Sequence, residues 1–535
     1  MRPANFQVLP KEKPAGTRRI LCLGESTTAG FPFPAHAAFP ALLQEILDER
    51  QPGANWEVTN LGVTALSASS VASFIDEALT VQPDALVIYL GHNEFYGVGG
   101  VVSGGARGAA AFDFLYGLRL FRVLERAFPG IARTESEESS RRRAAVSPGS
   151  NLRTKAFDNY RKQMEYILGA ASKKNVPIVL CEVFSNERDL YPLGSPDSAA
   201  DRGTPAWSAA TAWGPSAGAP EHATESGYPS RESAAGALPD LDRQVASDSP
   251  DAGFRYLRGC ARAAMGDPGA LADFVEARNL DPIPFRAPDD INVEIRELAK
   301  RFGCRLVPMV EIMRTSAPGH VIGHESCVEH LHPTFLGNAR IASAAADALI
   351  GSRRITEMTP ALAGSLLRAA AITPVDFAFA DARMDKLMHL WPYERPGDEA
   401  PPFPYSARST LAEAHDLFEA AGDSAGAAAT ARLFDEVAQL LPPLEDKRIN
   451  ILDAHTRLAK RHEEAGDLAA AEWELEAAVR LFPVDFNIWV QLGRTRLDRG
   501  DARGAAEAAR SALYWAPGFP PAEALLREAA SELSK

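Results

Sequence analysis

Cysteine is scarce in this chain: there are five in 535 residues, at positions 22, 181, 260, 304 and 327. The number is odd and several of them sit inside apolar runs, where a thiol behaves as a small buried hydrophobe, so no disulfide framework is implied. Long apolar runs are also missing. Nothing reaches the roughly 18 residues that a membrane span needs. The opening MRPANFQVLPKEKPAGT has no apolar segment of the secretory kind, and the chain as given reads as soluble and cytoplasmic. Positive charge is in deficit, with 56 Lys+Arg against 70 Asp+Glu and a net charge of -14. That argues against nucleic acid as a partner, because phosphate-backbone affinity comes from lysine and arginine. Aliphatic residues thin out between 196 and 252, where Ala, Ser, Pro, Gly and Asp dominate. Such a stretch buries little surface and is expected to be loosely ordered.

What is present suffices for more than one core, since 46% of the 535 residues are hydrophobic. Strand-like runs near 19–23, 57–61, 85–90, 177–183 and 304–309 alternate with helical patterns near 38–50, 69–80, 157–174, 290–302 and 337–350. This alternation predicts an α/β unit with a parallel sheet covered on both faces. Ligands then bind beyond the carboxyl ends of the strands. GESTTAG, residues 24–30, directly follows the first run and reads as strand, tight turn, helix. Ser26 therefore sits at a strand's carboxyl end, where a serine is also a common helix N-cap. Asn60-Leu61-Gly62 ends the second run, Gly91-His92-Asn93-Glu94 ends the third, and Glu329-His330-Leu331-His332-Pro333 lies far downstream.

Two insertions interrupt the alternation. Residues 97–150 carry glycines, then the aromatic run Phe112, Phe114, Leu115, Tyr116, then ESEESSRRR. The aromatic part reads as a helix packed on the domain or as the wall of an apolar groove, and the charged part as a solvated loop. The second, 187–288, contains a helix-turn-helix over 254–282 that resembles one tetratricopeptide repeat and is a candidate lid. Further on, Leu458, Gly466, Ala471, Ala478 and Pro483 recur after a shift of 34 residues as Leu492, Gly500, Ala505, Ala512 and Pro517. That period, with small residues at helix contacts and a closing proline, is the tetratricopeptide pattern. Residues 408–443 look like a further, irregular unit, and the Pro-rich stretch 391–407 like a boundary.

The four blocks Gly24-x-Ser26-x-Thr28, Gly62, Gly91-x-Asn93 and an acid three residues before His332 resemble, in order and spacing, those of the SGNH or GDSL hydrolase family. The resemblance covers roughly residues 18–350. It departs at Glu25 and Glu329, where the family usually has aspartate, and the second change lengthens the orienting arm by one methylene. A flavodoxin-like three-layer parallel sheet over 18–352 is implied, then connecting helices and linker over 353–407, then an all-α repeat domain over 408–535. Also implied is a serine esterase acting on an acyl or acetyl ester of a small molecule, glycan or lipid. Ser26 would be the nucleophile, His332 the base and Glu329 the orienting carboxylate. The backbone N–H groups of Ser26 and Gly62 and the side-chain amide of Asn93 would hold the oxyanion. Gly62 is expected to lack a side chain so that substrate oxygen can approach its backbone. The alternatives are an O-acyltransferase using the same site and a repeat-based scaffold on a non-catalytic hydrolase fold.

Glu94 and Arg286 are further substrate-binding candidates, with a structural arginine as the competing reading at 286. The cluster His320, His324, Cys327, Glu329, His330, His332 matches no standard zinc spacing, so neither metal nor cofactor is expected. The repeats are expected to hold a protein partner, and the oligomeric state stays open. Relatives that pair this hydrolase with helical repeats often carry a membrane anchor upstream of a Lys-Pro-x-Gly-Thr stretch like residues 13–17, so the resemblance also admits an extracytoplasmic location. Because the catalytic set lies between 24 and 333, a fragment ending near residue 385 is expected to keep its chemistry.

Overall fold

The apolar runs become five strands, β1 (Thr17–Gly24), β2 (Asn55–Asn60), β3 (Ala85–Tyr89), β4 (Ile178–Cys181) and β5 (Arg305–Val307), in a computed structural model. It describes residues 9–102, 145–194, 229–246, 251–389, 393, 407–433 and 450–534. All pairings are parallel and the order is β2-β1-β3-β4-β5. Ile20–Leu23 and Ala85–Tyr89 are buried on both faces, as expected for interior strands of a parallel sheet with helices on each side. The chain leaves β1 toward β2 on one side and returns to β3 on the other. The crevice where strand order reverses therefore opens at the end of β1, directly before Ser26. The helices Phe39–Arg50, Ala68–Ala78, Asn151–Lys173, Asp289–Phe302 and Phe335–Ile350 fall where periodicity predicts them.

Three expectations need correction. The stretch 196–252 is not uniformly loose: Arg231–Ala246 is a helix, and its narrow stripe of Ala234, Ala237 and Leu241 is buried against Phe254, Leu257 and Phe274. Small side chains at helical spacing bury by close approach, which a count of aliphatic residues overlooks. Second, the expected hairpin is present as Ala252–Met265 and Ala270–Leu280, but it is tied down rather than poised as a lid. Buried Arg278 pairs with buried Glu187 at 3.1 Å, and Tyr256 donates to the Arg188 carbonyl at 2.7 Å. The aromatic run at 112–116 and the charged run after it lie outside the described residues.

The third correction concerns the boundary. One core runs from the sheet (Leu21, Val87) through Phe335 to Leu367 and Phe377, and on to Leu417, Phe418, Leu458 and Trp473. Buried Glu413 accepts from the N–H groups of Phe335 and Leu336 at 3.0 and 2.9 Å, capping the helix that follows His332. Arg408 donates its backbone N–H to the Val328 carbonyl at 2.8 Å. Packing therefore crosses the Pro-rich stretch. Beyond it the helices Ile451–Glu464, Leu468–Leu481, Phe486–Asp498, Ala502–Trp515 and Pro520–Leu533 stack in succession. Among the described residues no single helix is long and apolar enough to cross a membrane.

A buried polar chain stitches the two parts together. His36 lies 3.3 Å from Asp376, whose other oxygen is 3.1 Å from His455 Nε2, while His455 Nδ1 is 2.6 Å from Glu474. Against burial, which lowers it, Asp376 and Glu474 raise His455 to about 10. Against burial, which raises it, His36 and His455 hold Asp376 below its ordinary range.

Two outcomes follow from this packing. A fragment ending near residue 385 exposes the faces of Leu367 and Phe377, and circular dichroism should show it without the full chain's cooperative thermal transition. The imidazolium of His455 contributes stability that is complete below the unfolded value of about 6.5 and lost as pH rises through about 10. His455→Gln should therefore cost about 3–5 kcal/mol in chemical denaturation near pH 6, with the deficit shrinking toward pH 10. An equal deficit at both pH values would mean that the charge is not what stabilises the joint.

Candidate active site

The turn that carries Ser26 is built by close approach. A Cβ on Gly24 would sit 2.1 Å from Thr28 Oγ1 and 2.2 Å from the Tyr89 carbonyl, so only glycine lets β1 run into the short helix Ser26–Ala29. Ser26 opens that helix, and its N–H has no intrahelical partner. Glu25, fully enclosed beneath it, accepts from the N–H groups of Gly91, His92 and Asn93 at 2.8, 3.2 and 3.3 Å. This carboxyl fixes the third block to the first. Burial, with Glu94 adding to it and the three N–H groups opposing, pushes Glu25 up to about 8.

His332 arrives from 306 residues away. Its Nε2 lies 2.7 Å from Ser26 Oγ, and its Nδ1 lies 2.5 Å from Glu329 Oε1. The loop that presents both residues is closed by the Val328 N–H donating to the His332 carbonyl at 2.8 Å. The longer arm of glutamate is accommodated by folding back, since Glu329 Oε1 also accepts the His332 N–H at 2.8 Å. Asn186, just past β4, anchors the loop from behind: its amide donates to the Glu329 carbonyl at 3.0 Å and its N–H to the His330 carbonyl at 2.9 Å. Burial, with the Arg383 charge adding to it, lowers His332 from 6.5 to about 3. At neutral pH the imidazole is thus the uncharged form that can take a proton.

Gly62 reaches the site for a different reason than expected. A Cβ there would meet Ala29 N at 2.3 Å and the Thr28 carbonyl carbon at 2.5 Å, so its bareness serves packing against the Ser26–Ala29 helix. Its N–H donates to Asn60 Oδ1 at 2.8 Å, an Asx-type turn at the end of β2, and is not free for an oxyanion. Asn93 is half-exposed, and its side-chain amide makes no hydrogen bond among the described residues. The ready donors are therefore the Ser26 N–H and the Asn93 amide.

Glu94 and Arg286 do not line the site. Glu94 is fully buried and accepts the Ala68 N–H at 2.8 Å at the start of the Ala68–Ala78 helix, and burial pushes its carboxyl up to about 7. Arg286 is buried, donating to the carbonyls of Asn186 and Leu190 at 2.9 and 3.1 Å, which is the structural reading. Both were chosen for chemical type, and in both a backbone contact claims the charged group.

Three residues near His332 have no counterpart in the sequence analysis. Tyr393, in the stretch read as a boundary, donates to Glu329 Oε2 at 3.1 Å and lies 2.5 Å from His330 Nδ1. Phe31 packs on His332 with ring centroids 4.6 Å apart, and Arg383 lies over Phe31 at 4.3 Å. Tyr393 is one of four aromatics in the Pro-rich stretch 391–407, and nothing local marked it out from the others. Nor did anything mark out Arg383. Glu329, His330 and His332 present ligand atoms within 4.8 Å of one another and are the residues that could hold a metal ion, but Glu329 Oε1 and both His332 ring nitrogens are already engaged in the relay to Ser26. No protein-family model matches this chain, and no curated protein matches it.

Burial and the Arg383 charge oppose the imidazolium of His332 while the Glu329 carboxylate 2.5 Å from Nδ1 favours it, so the acid limb of kcat/KM for an activated ester reports the balance of the three. Arg383→Gln removes a nearby positive charge that disfavours the imidazolium, and should move the acid limb upward. An acid limb that does not move in Arg383→Gln would mean that Arg383 does not set the base.

Proposed function

We propose that the chain is a serine esterase of the SGNH/GDSL type, with tetratricopeptide repeats packed behind a flavodoxin-like hydrolase sheet. The observation that carries this reading is the buried relay Ser26 Oγ, His332, Glu329, assembled at the carboxyl ends of the strands from residues hundreds of positions apart. In that reading His332 takes the Ser26 proton as Oγ attacks the ester carbonyl. The tetrahedral oxyanion is held by the Ser26 N–H and the Asn93 amide. Collapse expels the alcohol, which receives the proton from His332 and leaves an acyl group on Ser26. Water, deprotonated by His332, then attacks that acyl group, and the acid is released as Ser26 regains its proton. Glu329 keeps Nδ1 protonated and offsets the transient imidazolium, with Tyr393 holding the second carboxylate oxygen.

A fluorophosphonate probe should label the full-length chain at Ser26 and fail to label Ser26→Ala; equal labelling of both would remove the serine-esterase reading and leave the scaffold. Glu329→Gln should keep the fold and lower kcat on p-nitrophenyl acetate by roughly 10³- to 10⁴-fold, since the amide no longer fixes the tautomer.

A further inference from the structure

Most arginines inside this fold have an acid. Arg19 pairs with Glu57, Arg258 with Asp273, and Arg278 and Arg314 with Glu187. Arg383 does not. It is half-buried on the Pro374–Met388 helix, lies 4.3 Å over the Phe31 ring, and donates through Nη1 to the carbonyls of Pro32 and Phe33 at 2.8 and 3.3 Å. Among the described residues no carboxylate stands within ion-pair distance and neither Nε nor Nη2 makes a hydrogen bond. Phe31 in turn touches His332, which places this unbalanced charge one ring away from the base.

A cation taken partly out of water with no partner is a standing cost. Burial lowers Arg383 to about 10 with no acid opposing it, and the group still carries its charge at neutral pH. The stacking on Phe31 and the two carbonyls hold the guanidinium in one orientation. They leave the Nε and Nη2 edge unused, and that edge is the side-on fork that a single carboxylate fills with two parallel hydrogen bonds. We propose that Arg383 binds a carboxylate on the ester substrate, so that the substrate class is esters of carboxylate-bearing acids or alcohols. This rests on the serine-esterase reading. One positive charge and one free edge match a monoanion.

The test uses the full-length protein and two matched pairs: mono-4-nitrophenyl adipate against its methyl ester, and 4-acetoxybenzoate against its methyl ester. The first pair places the carboxylate on the acyl half and the second on the alcohol half. The quantity read is the ratio of kcat/KM for the anionic over the neutral member, at about 0.3 M salt to screen long-range steering. Taking the ratio within each variant cancels any general loss of activity. In Arg383→Gln the ratio should fall by about 10- to 100-fold for one pair, mostly through KM, and Arg383→Lys should retain part of it. An unchanged ratio in Arg383→Gln for both pairs overturns the proposal.

Calorimetric titration of monomethyl adipate into Ser26→Ala, with and without Arg383→Gln, reads the anion site without turnover. Binding lost only with the arginine supports the site even if no ester is cleaved. Equal binding by both proteins, or none by either, overturns it.

Discussion

The Glu329 carboxylate is where three parts of the chain that are distant in sequence meet. One oxygen takes the His332 imidazole and the N–H of the same residue; the other meets the Tyr393 hydroxyl and His330 Nδ1; its own backbone carbonyl is held by Asn186 beyond β4. A buried carboxylate costs several kcal/mol unless its acceptors are filled. It therefore makes sense only when the sheet, the histidine loop and the segment at 393 are all in place. Loss of any one partner leaves an under-solvated charge beside His332, so the geometry of the candidate site and folding are coupled at this single group.

The same constraint explains why the helical part is not an accessory. The His36–Asp376–His455–Glu474 chain and the Glu413 cap join it to the sheet through groups that have no solvent to fall back on. Around them runs an unbroken apolar core from Leu21 to Trp473. Hydrophobic burial supplies the bulk of the attraction, while the buried polar chain fixes the relative register of the two parts. Through Arg383 and Tyr393 the helical part also sets the charge and the hydrogen bonding next to His332. Helices that pack on the sheet, Pro374–Met388 among them, thus also furnish part of the surroundings of His332.

Much of this was legible in the primary structure wherever a local rule sufficed. The runs at 19–23 and 85–90 are apolar on successive residues, as strands buried on both faces must be, and they became β1 and β3. The spacing of Glu329 and His332 placed both on one side of a turn. What failed was assignment by residue type alone. Glu94 and Arg286 looked like substrate contacts, yet backbone groups from distant segments claimed them; Gly62 looked like an oxyanion donor, yet Asn60, two residues earlier, took its N–H.

The sequence by itself determined the strand and helix pattern, the turn that puts Ser26 at the carboxyl end of the first strand, and the pairing of an acid with His332, because each depends on side chains within a few positions of one another. Only the tertiary structure decided that Tyr393 reaches Glu329, that Arg383 stands unbalanced beside Phe31, and that residues on the two sides of the Pro-rich stretch share one core. Those contacts close over tens to hundreds of residues. They are selected by the shape of a shared core and by the cost of leaving a buried charge unfilled, and neither is written in any local pattern of the chain.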